Sequence, residues 1–432
     1  MMTLEEVKAS IAASIKARDF MYEHTPANYE LLSKHFGTFQ AVESGRGEEK
    51  YLIPEVGTVH FLYRGQNMEK APCIPTIYRG APDESQVFTD RMRLTVFKRL
   101  LASHPVVEHF FKRHHFVVNE EGLAQHYGLR TEILDLTSNL DVAIFFAICK
   151  YNQKSDSYDY FREDGKAVLY VFDPILDNEP SPSLRFDRYM NGNIKPIGLQ
   201  AFPRPGVQFG YGLRIGKGAS TKSWMFEFNY TAEESKAYYE KFKAGEVLWI
   251  KDRMISKSKA IAEQTVFSRN VFDETYALYR PKGYSKTKLK AALRGVTLEK
   301  NVPDVVFTEV ERREIVEEWN DHLGTEMAKI IVRKPWFLHE GTEKNADGTE
   351  QIVGIHDRHD YLTLQKMGET VMLMFMAEPS KMDGAVWRNY TGLPRPQEHN
   401  PYMDGKWRKM DAGMMTVFGK PYLEENDWRI EI

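Results

Sequence analysis

The run Val142-Ala-Ile-Phe-Phe-Ala-Ile-Cys149 limits what this chain can fold into more than any other segment. Its apolar side chains cover nearly every face of a helix, so the helix must be enclosed on all sides. Like Val371 to Ala377, it falls well short of the roughly 18 residues needed to cross a bilayer, so the enclosure is protein. Asn139-Leu-Asp141 stands directly ahead and can cap it. A helix buried this way needs a substantial body around it. The 432 residues provide one, exceeding the roughly 100–200 usual for a single domain and predicting one large domain with a smaller one appended.

The rest of the chain supplies the layers. Leu4, Val7, Ile11 and Ile15 form one apolar stripe of a helix running to about Lys16, and a second helix is expected from Asn28 to His35. Thr58 to Tyr63 reads as a strand delivering Arg64-Gly65 to a turn at its end. Asp83 and Glu84 place negative charge at the start of a helix carrying Val87, Phe88, Met92, Val96, Phe97, Leu100 and Leu101. Ala167 to Phe172 and Ser223 to Tyr230 read as sheet strands, with the Pro- and Gly-dense stretch Pro174 to Lys222 as loop lying over the sheet. Val310 to Leu323 returns to helix. Beyond the polar stretch Glu340 to Glu350, short runs such as Thr370 to Ala377 and Met414 to Phe418 are separated by turn residues. The expected organisation is a helical segment over 1–57, a main domain over 58–339 and a small β-rich region over 340–432.

Charge and cysteine content narrow the partners. With 42% hydrophobic and 28% charged residues the chain has the balance of a soluble globular protein, and a net charge of −3 gives no general attraction to nucleic acid or an anionic membrane. Cys73 and Cys149 lie in apolar surroundings with no second cysteine nearby, which suits reduced core residues in a reducing compartment. The Met-Met-Thr-Leu-Glu-Glu start lacks the pattern of a secretory signal, so a cytoplasmic location is expected. No metal is expected: His114-His115 diverge on a helix, and His356-x-x-His359 has no third ligand at a convincing spacing.

The residues able to do chemistry gather in two segments. An Arg next to a Gly, as in Tyr63-Arg64-Gly65-Gln66, sets a guanidinium fork beside an approachable backbone and suits phosphate or carboxylate recognition; its alternative role is pairing with a carboxylate such as Asp135. His126 and Tyr127 bring an imidazole and a phenol into one turn beside Gly128. Asp135, flanked by Leu134 and Leu136, projects from a strand away from the core and needs a partner, either Arg64 or Arg130. Thr131, Thr137 and Ser138 supply hydroxyls close to that acid, although a helix cap accounts for Thr137 or Ser138 without a ligand. Gln208, between Gly206 and Gly210, is a further site candidate, and Arg79 and Arg204 could extend a cationic pocket or simply pack.

Phe61-Leu62-Tyr63-Arg64-Gly65-Gln66 resembles the motif that names the FRG domain family. Pro75-Thr76-Ile77-Tyr78-Arg79 is similar to the family's second segment, and Gln125-His126-Tyr127-Gly128 through Thr137 to its longest one. The apolar helix after Asn139 and Pro203 to Tyr211 continue the resemblance in order. Leu136 stands where the family often has Trp. The resemblance implies, by fold-level analogy with ADP-ribosyltransferases, an α+β fold with a mainly antiparallel, split sheet surrounded by helices. It implies NAD as substrate for ADP-ribosyl transfer, with a protein as acceptor, or for NAD cleavage, in bacterial defence or toxin action. Arg64, Gly65, Gln66, Tyr127, Arg130, Thr131 and Thr137 are then the expected ligand-binding residues, and His126, Asp135, Gln208 and Glu227 the expected catalytic ones. Glutamine cannot supply negative charge to an electron-poor ribose, so Asp135 or Glu227 must substitute for the family-like acid. The alternative is a non-catalytic module binding a nucleotide-like ligand or a partner; a nucleic-acid-directed activity is disfavoured by the acidic balance.

Overall fold

The computed structural model describes residues 2–22, 40–43, 49–53, 61–67, 73–152, 155–173, 193–219, 223–323, 331–333, 341–344, 350–353, 363–367, 370–376, 414–419 and 428–431. The helix expected at Asn28–His35 and the His356/His359 pair lie outside them. Among the described residues no helix is long and apolar enough to cross a membrane.

The centre of the molecule is a seven-stranded sheet in the spatial order Met2–Thr3, Trp224–Tyr230, Gly165–Phe172, Leu62–Asn67, Ile133–Thr137, Gly210–Arg214, Ile194–Pro196. The pairing is antiparallel throughout except at the edge, where Met2–Thr3 runs parallel to Trp224–Tyr230. The sheet is divided in the middle. Leu62–Asn67 pairs along its whole length with Gly165–Phe172, from Leu62 opposite Phe172 to Asn67 opposite Ala167. Toward Ile133–Thr137 it makes one pairing, Tyr63 with Thr137. Ile133–Thr137 meanwhile pairs fully with Gly210–Arg214. The two halves therefore hinge at Tyr63 and Thr137 and diverge from there, matching the split, mainly antiparallel sheet expected.

The helix Leu140–Ile148 packs closely on the strand Leu62–Asn67, its Ala143 carbonyl against Gly65. Asn139 caps it by accepting from the backbone N–H groups of Asp141 and Val142, and Val142, Ala143, Ile144, Phe145, Ala147 and Ile148 are all buried. It lies on the Tyr63, Leu169 and Val171 face, together with Leu4, Val7 and Ile11 of the N-terminal helix Leu4–Tyr22. The opposite face buries Leu62, Leu134, Leu136, Phe172, Tyr211 and Leu213. A third, mainly helical core joins Glu84–Ala102, Met254–Glu263, Arg269–Tyr279 and Glu309–Glu318 through Phe88, Phe97, Phe272 and Trp319. Asp83 opens the first of these with a full capping box involving Gln86, as its acidic start predicts.

Two local expectations are corrected. Arg64-Gly65 lies inside a strand rather than at a strand end, because pairing with Gly165–Phe172 carries the strand on to Asn67. The stretch Pro174–Lys222 is not all loop: Ile194–Pro196 and Gly210–Arg214 are sheet strands joined across the helix Pro203–Val207. Their glycines and prolines masked a short edge ladder whose stability comes from pairing with Ile133–Thr137.

Toward the C-terminus, Gly341–Lys344 pairs with Glu350–Val353, and Thr363–Met367, Thr370–Met376 and Met414–Gly419 form an antiparallel trio. The chain then returns to the helical core. Trp428 and Ile430 are buried there, the Trp319 indole N–H donates to the Trp428 carbonyl (2.8 Å), and Asn320 exchanges two hydrogen bonds with the Ile430 backbone.

Candidate functional site

Where the sheet divides, a cleft of about 240 Å³ opens between Leu62–Asn67 and Ile133–Thr137. Its cationic lining comes from Arg64 on the first strand and Arg79 on the turn after Thr76–Tyr78; among the lining residues its one acid is Asp135. The segment that precedes Arg79 fixes its place through hydrogen bonds. Gln125 Oε1 accepts from both Thr76 (3.0 Å) and Thr131 (2.7 Å), and the Thr131 N–H donates to the Thr76 hydroxyl. Ile77 N–H also donates to the Thr131 carbonyl. The 74–79 turn is thus tied to the turn before Ile133–Thr137, and both reach the same cleft.

Arg64 spans the split, donating from Nη1 to the main-chain carbonyl of Asp135 at 2.8 Å. Its partner is the backbone of Asp135, not the carboxylate. Arg130 does not pair with Asp135 either; its side chain is 59% exposed and stands 4.0 Å from Asp90. The Asp135 carboxylate instead faces His126, with Oδ1 3.9 Å from Nε2. That separation is too long for a hydrogen bond. Burial holds the His126 imidazole below its ordinary value against the pull of Asp135, so the ring is neutral at pH 7. Arg79 is likewise pushed down by burial and by the neighbouring Arg64.

Several buried polar atoms of the cleft residues have no hydrogen-bond partner. Arg64 Nε, both amide atoms of Gln66, His126 Nε2 and Asp135 Oδ1 are buried without a hydrogen bond. Gln66 is only 3% exposed. A buried polar atom left without a partner costs roughly 1–3 kcal/mol, so five of them in one cavity form a costly arrangement unless something is bound there. Arg64, Gln66, His126 and Asp135 bring both donor and acceptor capacity to one cleft.

The other expected residues are distributed as follows. Gly65 lines the cleft, but the room left by its missing side chain is taken by the Ala143 carbonyl of the overlying helix. Thr137 also lines it, while its hydroxyl accepts from Asn139 N–H (3.0 Å), the cap alternative. Gln208 reaches the cleft with Nε2 anchored on the Leu248 carbonyl at 2.7 Å, leaving its oxygen end beside His126. Tyr127, Arg130, Thr131 and Glu227 are not part of the lining. Tyr127 points the other way from His126, donating its hydroxyl to Asp252, and burial together with that carboxylate raises its phenol well above the ordinary range. Thr131 is spent on Gln125. Glu227 is exposed on Trp224–Tyr230, separated from the cleft by Gly165–Phe172 and Leu62–Asn67, so the acid in reach is Asp135.

The sequence reading missed one wall. Tyr151 and Tyr158, on the hairpin Cys149–Asn152 and Ser157–Tyr160, join Trp249 in the lining. Arg204 does not enter the cleft; buried to 2% exposure, it donates to the carbonyls of Ile250 (2.7 Å) and His126 (3.3 Å) and stacks on the Trp249 and Tyr127 rings at 4.1 and 4.9 Å. The signal for this wall lay in aromatic residues far apart in sequence, which only the tertiary fold brings together. Among the described residues no three His, Cys, Asp or Glu side chains gather as metal ligands. Cys73 and Cys149 are both free, and burial pushes the Cys149 thiol up to about 12.

Residues 59–156 match the FRG domain. The chain carries an FRG domain. The match covers Arg64, Gln66, Arg79, His126, Asp135 and Tyr151, whereas Tyr158, Gln208 and Trp249 lie beyond it and complete the cleft of the FRG domain from outside. The chain matches no curated protein and no solved structure.

Proposed function

We propose that the cleft of the FRG domain binds a nucleotide-like ligand and that NAD is the substrate cleaved there, its ADP-ribosyl group passing to water or to an acceptor such as a protein side chain. The observation that carries this reading is that Arg64, Gln66, His126 and Asp135, each with a buried polar atom lacking a hydrogen-bond partner, line one cavity whose two arginines outnumber its one acid. Arg64 and Arg79 offer planar forks to phosphate oxygens. Gln66 can give and accept a hydrogen bond at a ribose or amide. At 240 Å³ the cleft is just below the roughly 300–1,000 Å³ of drug-sized pockets, which suits one half of a dinucleotide with the remainder at the mouth.

In NAD cleavage the ribose–nicotinamide C–N bond breaks, its electron pair neutralises the pyridinium nitrogen, and the ribose carbon takes a bond from the acceptor oxygen or nitrogen. In this reading Asp135 faces the positive charge developing at that carbon. His126, neutral and 3.9 Å from Asp135, can receive the proton the acceptor loses. A hydroxyl set between the two would reach both, although neither reaches the other. Asp135 thus takes the part for which Glu227 was a candidate.

The second reading, a nucleotide-binding module without turnover, draws on Glu227 lying outside the cleft and on Gln208 being anchored to Leu248. Incubation of the purified protein with NAD, with nicotinamide release and NAD binding measured in parallel, separates the two. Release that is lost in Asp135→Asn and Arg64→Ala is the expected result. Binding without release in the presence of candidate acceptors points to the module, and neither binding nor release sinks both.

A further inference from the structure

The unassigned part of the cleft is its aromatic wall, and it is built rather than incidental. Asp156 Oδ1 accepts from the Tyr151 hydroxyl at 2.7 Å and from the Trp249 indole N–H at 2.9 Å, so one carboxylate oxygen fixes two ring planes. The Tyr151 and Trp249 centroids are 5.1 Å apart, with Tyr158 packed at 5.3 Å from Tyr151 and edge-on to Trp249 at 5.7 Å. Arg204 is layered on Trp249, so the indole is clamped by a cation as well as by a hydrogen bond. Trp249, Tyr151 and Tyr158 nevertheless all contribute to the lining of the same cleft as Arg64 and Arg79. Rings held this firmly lose little freedom on meeting a ligand, and an indole face favours a flat heteroaromatic ring.

Arg64, Arg79, His126, Asp135 and the three rings all line one cleft, so the cationic and the aromatic parts belong to a single space.

We infer that Trp249, bracketed with Tyr151 by Asp156, is the subsite for the heteroaromatic base of a mononucleotide whose phosphate is held by Arg64 and Arg79. The inference rests on the nucleotide reading of the cleft but not on catalysis. It requires that the base, rather than the phosphate or sugar, be what Trp249 recognises.

The experiment compares four probes by calorimetry with the full chain: AMP, nicotinamide mononucleotide, ribose 5-phosphate and inorganic phosphate. Trp249→Leu keeps apolar volume without a π face, Trp249→Phe keeps a ring without the N–H, and Tyr151→Leu probes the same wall from its other member. The expected result is that Trp249→Leu weakens whichever base-bearing nucleotide binds by roughly 5- to 150-fold, leaves ribose 5-phosphate unchanged, and is largely rescued in Trp249→Phe. Tyr151→Leu, the fallback where Trp249→Leu does not fold, weakens the same ligand selectively. The two nucleotides tell which base occupies the wall. Equal weakening of ribose 5-phosphate, unchanged nucleotide affinity in the Leu variants, or no binding of either nucleotide by the wild type overturns the inference. Nicotinamide release is scored separately: selective nucleotide binding without release leaves the subsite standing and removes the enzyme reading, and release with an unchanged KM in Trp249→Leu does the reverse.

Discussion

Replacing Gly65 by alanine tests the packing of the helix Leu140–Ile148 against a strand that lines the cleft. A Cβ at this position would sit 1.7 Å from the carbonyl oxygen of Ala143, 2.6 Å from its carbonyl carbon and 3.0 Å from the Ala147 Cβ. Restoring ordinary contact with that oxygen requires the Leu140–Ile148 helix to withdraw by about 1.7 Å. The helix is buried on nearly every face, so it cannot move without disturbing Tyr63, Leu169 and Val171 beneath it. Overpacking costs about 1–3 kcal/mol, and a clash with main chain belongs at the upper end. The smaller conformational freedom of alanine in the unfolded chain returns about 0.4–1 kcal/mol. The net expectation is a loss of roughly 2 kcal/mol, or about 4–8 °C in Tm for a body of this size. Because the obstacle is a backbone oxygen, adding Ala147→Gly should rescue little of it. Thermal unfolding followed by near-UV circular dichroism is the assay. A Gly65→Ala protein melting within about 1 °C of wild type would refute the close helix–strand contact.

Two further perturbations address stability away from the cleft. His104 is buried between Phe202 and Phe307, and burial, with Arg312 nearby, lowers its pKa to about 3. The unfolded chain, with a histidine near 6.5, binds the extra proton first, so this contribution is complete above about pH 6.5 and is lost as pH falls toward 3. The slope is about 1.4 kcal/mol per pH unit, or roughly 2 kcal/mol between pH 6.5 and 5; urea titrations should show it, and His104→Leu should flatten it. Asn139→Ala removes the side chain that accepts from Asp141 and Val142, and should cost about 1 kcal/mol, read by the same titrations at pH 7. An unchanged midpoint there would mean that the cap is replaced by solvent.

Much of this protein was determined by its sequence alone. Local chemistry suffices for a helix that is apolar all round, for Asn139 as its cap, for the acidic start of Glu84–Ala102, and for a β-rich run such as Ala167 to Phe172, because composition, periodicity and capping act within a few residues. Of the residues singled out in the motifs around Arg64-Gly65, Gln125–Thr137 and Pro203–Tyr211, Arg64, Gly65, Gln66, His126, Asp135, Thr137 and Gln208 line the cleft, whereas Tyr127, Arg130 and Thr131 do not. Tertiary structure decided the rest. Strand pairing, a long-range interaction, carried Arg64 into the middle of a strand and made Gly210–Arg214 a sheet member despite its glycines. Sheet order set Glu227 two strands from the Leu62–Asn67 position and left Asp135 as the acid within reach. One turn sent His126 and Tyr127 to opposite environments, since adjacent side chains diverge. The aromatic wall needed Tyr151, Asp156, Arg204 and Trp249 to meet across almost a hundred residues, and no local pattern encodes such a meeting.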